Sequence, residues 1–174
     1  TIVAQDDRLM VDAEQKNCRI LLICDSEATH ETFRAVLCDA SVETQNSIIQ
    51  GSPSPTMIAY ELTSAGQAEE GMTKGREAVA GRRPYAVVFI DLDKREDSLA
   101  TSVFLLREDP NVQVVFCLKH GESLSGPAIE PRDGMGRMVI LNKPFEPTEI
   151  RLLASSLTDK WNLAQKARLK MEEL

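Results

Sequence analysis

Three charged residues each stand just beyond an apolar run: Asp25 after Ile20–Cys24, Asp91 after Ala86–Ile90, and Lys143 after Met138–Leu141. Two carboxylates and an ammonium gathered at one place make an oxygen-rich site for a hard cation such as Mg2+, with a positive group beside it. One of the carboxylates, desolvated and next to Lys143, would serve as a nucleophile toward a phosphoryl group. The bland alternative is that the aspartates cap turns and Lys143-Pro144 merely ends a strand; spacing alone leaves the two readings level. The cysteines offer no competing centre. Cys18, Cys24, Cys38 and Cys117 have no Cys-x-x-Cys spacing and only His30 and His120 accompany them, so a zinc site is not expected. They read as small hydrophobes of a reducing cytosol.

The three residues can meet only if their runs are strands of one parallel sheet, because ligands bind outside the carboxyl ends of such strands. The chain supports that arrangement. Ile20–Ile23, Ala86–Ile90 and Val112–Cys117 are continuous apolar runs, as in strands buried on both faces. Thr56–Thr63 and Met138–Leu141 are weaker strands. Between them the pattern predicts a helix capped by Ser26 with a Phe33, Val36, Leu37 stripe, and a second from Ala65 to Ala80 closed by Gly81. Gly71 and Gly75 weaken that second helix. A third is expected over Leu99–Arg107, and Pro147 opens a long one running to the C-terminus. Strand and helix alternate, the signature of an α/β fold. Asp39 to Thr56, with Gly51, Pro53 and Pro55, should contain a loop. Gly121–Arg137 holds four glycines and two prolines, which excludes a regular helix there.

Composition narrows the function. In 174 residues, 27 acidic side chains outweigh 20 Lys and Arg for a net charge of −7, with no basic block. That argues against a nucleic-acid surface and against an anionic membrane patch. No apolar run approaches the roughly 20 residues of a membrane span. The first residues turn acidic where a signal peptide would be apolar, which fits a cytoplasmic protein. A start at Thr1 also reads as a piece of something longer.

From Arg19 to Leu157 the chain resembles the receiver domain of bacterial two-component response regulators. Arg19-Ile-Leu-Leu-Ile-Cys-Asp25-Ser matches the first strand, Val87-Val-Phe-Ile-Asp91 the third and Val114-Val-Phe-Cys-Leu118 the fourth. Leu141-Asn-Lys-Pro-Phe145-Glu-Pro, after the fifth, is the most specific match. The resemblance implies a flavodoxin-like (CheY-like) three-layer sandwich around a five-stranded parallel sheet of order 2-1-3-4-5. It also implies Asp91 as phospho-acceptor, Lys143 as phosphoryl contact, and a Mg2+ site of Asp25, Asp91 and the Asp93 backbone carbonyl.

The sequence departs from the family at the positions that switch. Cys24 replaces the first of two adjacent acids, and a thiol is a poor substitute for an oxygen donor, so Mg2+ should bind weakly at most. Leu118 stands where a Thr or Ser hydroxyl binds the phosphoryl oxygen. By analogy, one lost oxyanion donor costs about 10²–10³ in rate. Lys119 follows and should alter the mouth of the pocket. Ile140 replaces the switch aromatic, an aliphatic expected to stay buried in either state. The Gly121–Arg137 stretch falls on the family's fourth helix, which should be disrupted.

The expectation is a degenerate receiver, signalling without phosphorylation-driven switching; the alternative is a working phospho-acceptor served by a histidine kinase. Neither is an enzyme beyond self-phosphotransfer and autodephosphorylation at Asp91. Residues 1–17 read as a linker, 18–158 as the receiver-like domain and 159–174 as a signalling helix toward a further output domain. A heptad frame places Ile150, Leu153, Leu157, Lys160, Ala164, Ala167, Met171 and Leu174 at a and d, with Trp161 beside Lys160. Leu157, Trp161, Ala164, Met171 and Leu174 would then form a homodimer seam; the bland reading is a solvated tail. The run from Leu157 to Ala164 weakly resembles connectors to cyclic di-GMP turnover domains or in hybrid histidine kinases.

Overall fold

The computed structural model describes residues 16–38, 60–119 and 138–173. The elements run β1 (Arg19–Cys24), α1 (Glu27–Cys38), β2 (Glu61–Ala65), α2 (Ala68–Ala80), β3 (Val87–Asp91), α3 (Arg95–Glu108), β4 (Gln113–Leu118), β5 (Met138–Asn142) and α4 (Pro147–Glu172). All strand pairs are parallel, in the order β2-β1-β3-β4-β5, so the flavodoxin-like sheet is as expected. The loop expected in Asp39 to Thr56, the disruption expected over Gly121–Arg137, and Leu174 lie outside the described residues.

Burial on both faces explains why the central strands are unbroken apolar runs. On β1, Ile20, Leu22 and Cys24 join Phe33, Leu37 and Ile150 in the layer of α1 and α4. Leu21 and Ile23 point the other way and pack with Ala78, Leu105 and Leu106 of α2 and α3. Ile20 through Ile23 are wholly buried. Each such side chain contributes about 1.5–3 kcal/mol over an exposed one.

Two helix starts move. Ala65 ends β2 and α2 begins at Ala68, while α3 begins four residues before the expected Leu99. Its first turn, Arg95-Glu96-Asp97, is polar and invisible to apolar periodicity, yet its acids suit the positive helix end. Gly71 and Gly75 are contact residues rather than defects. A Cβ on Gly71 would overlap Ile23, and one on Gly75 would overlap Leu105. Gly81 caps α2 with ordinary φ, and Arg82 takes the left-handed conformation at φ 58°. Arg82 N–H bonds to Val79 O at 3.1 Å and Arg83 N–H to Ala78 O at 2.9 Å, a Schellman motif with arginine where glycine is usual.

The last helix corrects the heptad frame. Ile150, Ala154, Leu157, Thr158 and Trp161 form its buried face, at spacings of 4, 7, 8 and 11 residues from Ile150. Ile150, Leu157 and Trp161 are therefore committed to the domain's own core, and a seam for a partner cannot contain them. Packing reaches Trp161, past the expected boundary at 158. Leu152, Leu163 and Met171 are exposed on the other side of the helix, with Ala164 and Ala167 exposed among them, while the exposed Leu169 lies on the azimuth of Thr158, beyond the end of the packed region.

Candidate functional site

β3 delivers Asp91 to the carboxyl edge of the sheet, directly paired in register with Cys24. The Asp91 side chain is buried, and each of its oxygens meets a donor from its own domain. Lys143 Nζ lies 2.5 Å from Oδ1. Cys24 Sγ–H donates to Oδ2 at 3.6 Å. Lys143 is held by its backbone, whose N–H donates to Leu118 O at 2.8 Å and prolongs the β4–β5 pairing by one residue. Phe145 anchors the same turn, packing edge-on against Phe33, which packs edge-on against Phe89.

Asp25 turns to the loop after β3, where its Oδ2 accepts the Asp93 N–H at 3.1 Å. The contact observed for Asp93 thus runs through its N–H. Its carboxylate pairs with Lys119 Nζ at 3.2 Å, an exposed pair of small energetic weight. Asp25, Asp91, Asp93, Lys143, Cys24 and Leu118 all reach this end of the sheet. Ile140 differs from expectation: it is 46% exposed rather than buried. It lies on the edge strand β5 and points away from the layer that Val139 and Leu141 join.

Two residues of the site escape sequence reasoning. His30 of α1 is buried and its Nε2 lies 2.6 Å from Cys24 O; the carbonyl only accepts, so Nε2 carries the proton. Cys117 of β4 lies near enough for the Asp91 carboxylate to act on its thiol. Burial first, and then Asp91, raise the Cys117 pKa well above that of a free thiol. Burial is also the main cause raising Cys24, with Asp91 adding to it. Both sulfurs are neutral thiols at neutral pH. Among the described residues no group of three or more His, Cys, Asp or Glu side chains is arranged to hold a metal ion.

No helix among the described residues is long and apolar enough to cross a membrane. Neither a protein-family model nor a curated protein sequence matches the chain. Solved structures do. An adenylate cyclase from Rhodopirellula baltica is 14% identical with a TM-score of 0.63, covering 91% of this chain and 99% of that one. A response regulator receiver domain protein from Clostridium thermocellum is 14% identical with a TM-score of 0.57, covering 84% and 98%. A putative two-component system response regulator/GGDEF domain protein is 16% identical with a TM-score of 0.55, and the match spans 88% of this chain but 53% of that one. The fold is that of response regulator receiver domains.

Proposed function

We propose that this chain is a regulatory domain of the receiver type in which the acceptor aspartate persists but no longer drives a switch. The observation that carries the reading is the pairing of Asp91, whose two oxygens are engaged by Lys143 and by the neutral thiol of Cys24. A receiver that binds Mg2+ needs an anionic oxygen where this thiol stands. Asp25 and the Asp93 backbone would contribute to such a site, but one carboxylate fewer makes the donor set a poor fit to the ion. Leu118 supplies no hydroxyl, and Ile140 supplies no ring to follow a phosphoryl group. Asp25, Asp91 and Lys143 then act as a hydrogen-bonded remnant that fixes the strand ends.

In this reading the domain is cytoplasmic, performs no catalysis, and acts on an output domain in the same chain. The adenylate cyclase and GGDEF names among the similar structures favour an output domain of cyclic-nucleotide type. The exposed apolar residues Leu163 and Met171 of α4 join a second copy of the chain. Because Trp161 belongs to the core, the cut that tests the dimer falls after Asn162. Light scattering should give a dimer for the full chain and a monomer for residues 1–162; a monomeric full chain removes the dimer.

The acceptor is tested with acetyl phosphate, or beryllofluoride, and Mg2+. The expected result is an unchanged intact mass and unchanged amide NMR shifts. Stoichiometric modification of Asp91 with shifts across the domain would replace this reading by the working acceptor, for which the Asp91–Lys143 pair is also suited.

A further inference from the structure

At the opposite end of the sheet, about 16 Å away along β1, an open cleft of about 440 Å³ lies between the start of β1, the turn after α2 and the middle of α4. Lys16, Arg19, Arg82 and Arg83 line it with a single acid, Glu61, and with Trp161. Glu61 is shared, its Oε2 lying 3.7 Å from Arg19 Nε and 3.5 Å from Arg83 NH2. Asp159 is near enough to act on Cys18 in the same wall. Four cations against Glu61 and the nearby Asp159 are still a local reversal of sign on a chain of net charge −7.

Three donors in this wall are buried without a hydrogen-bond partner among the described residues: Arg19 Nε, which has only its 3.7 Å ion pair with Glu61, Arg19 NH1 and Trp161 Nε1. Trp161 is only 8% exposed. A buried unpaired donor is destabilising, more so when charged, so each is a demand for an acceptor. The floor is also rigid. Asn17 N–H donates to Asn162 Oδ1 at 2.8 Å, and Asn162 Nδ2 donates to Asn17 O at 3.0 Å. Asn17 Nδ2 donates to Pro84 O at 2.9 Å, while its Oδ1 accepts the Arg19 N–H at 3.0 Å. The Asn17 amide thereby joins β1, α4 and the segment before β3. Arg82 is held at the rim in a left-handed conformation that is unfavourable for a non-glycine residue.

From the unpaired donors, the excess cations and the fixed frame we infer that this cleft binds a small multivalent oxyanion, a phosphate ester or a polycarboxylate. Arginines supply forked donors to its oxygens and Lys16 a point charge, with Trp161 in the wall beside them. The size admits a molecule larger than orthophosphate, and the positive field at the mouth steers it. Nothing in this inference depends on Asp91.

Trp161 is the only tryptophan of the chain and reports on the cleft directly. The full chain is titrated with pyrophosphate, citrate and orthophosphate at constant ionic strength, following tryptophan fluorescence and heat. A saturable response is expected, with pyrophosphate or citrate binding more tightly than orthophosphate; which of the two leads decides between phosphate and carboxylate. Arg82→Gly and Arg83→Gln should each weaken binding about tenfold, equivalent to about 1.4 kcal/mol. Lys94→Gln, the same charge change at the other end of the sheet, should alter it less than about twofold. A signal that does not saturate, or a saturable one that both arginine variants leave intact, overturns the assignment. Arg82→Gly keeps the turn, so loss of folding does not obscure the result.

Discussion

The two ends of this sheet handle charge in opposite ways. At the carboxyl end Asp91 meets Lys143 and Cys24, Asp25 meets the Asp93 N–H, and Asp93 meets Lys119, so acids are satisfied by groups of the same domain. At the amino end four cations line a cleft whose one acid, Glu61, pairs with Arg19 and Arg83, and the buried Arg19 NH1 and Trp161 Nε1 have no hydrogen-bond partner among the described residues. A strand end supplies the same materials in both places: backbone groups running out of partners and charged residues stepping into solvent. Internal pairing decides which end is a structural joint and which remains open to a ligand.

The sharpest break in that contrast comes from removing Lys143. Lys143→Met should lower the unfolding free energy by about 2–3 kcal/mol, less than a fully buried pair would lose because Lys143 is 31% exposed. Adding Asp91→Asn should restore most of it, as a urea-denaturation double-mutant cycle would measure. If Lys143→Met costs nothing, the carboxyl end is not a joint. Next in size is Cys24→Asp, which returns a second carboxylate beside Asp91. Without metal it should cost about 1–2 kcal/mol through like-charge repulsion. Mg2+ should then raise the melting temperature of the variant and leave that of the natural chain unmoved.

The thiols give a smaller, pH-dependent effect. Cys24 and Cys117 have pKa values raised by burial in the folded state, so above about pH 9 the unfolded chain releases protons that the folded chain keeps. Stability is fully present below the unfolded thiol pKa and should fall as pH rises beyond it. Replacing both thiols by alanine should flatten that alkaline limb of a denaturation series, whatever it does to stability at pH 7. Smallest is the amino end: Arg83→Gln should change unfolding free energy by no more than about 0.5 kcal/mol, because both Arg83 and Glu61 are more than half exposed. A large loss there would make the cleft a joint as well.

Much of the carboxyl end was legible in the sequence because it depends on strand ends, and buried parallel strands announce themselves as apolar runs. Asp25, Asp91 and Lys143 follow such runs directly. Cys117 and His30 required strand register and the neighbouring helix, which no local pattern contains. The last helix misled for a related reason: besides its core face it carries exposed apolar residues such as Leu163 and Met171, and periodicity cannot tell which of its apolar positions face the core. Gly71 and Gly75 looked like helix weaknesses because their meaning lies in Ile23 and Leu105 across the contact. The cleft was illegible altogether. Lys16 and Arg19 are far in sequence from Arg82 and Arg83, and only the pairing of β1 with β3 brings them together.

Arg82 also bears on how easily this molecule could have been otherwise. Every arginine codon becomes a glycine codon by one base change, and glycine would relieve the left-handed backbone at the end of α2. A stabilising substitution so close at hand is the kind that chains acquire readily unless it removes something they use. The same single step therefore separates two versions of this domain, a slightly sturdier one with a plain turn and the existing one with a cation at the rim of the cleft. Libraries of random single-base variants selected only for thermal survival should enrich glycine at position 82, and selection that also demands anion binding should remove it.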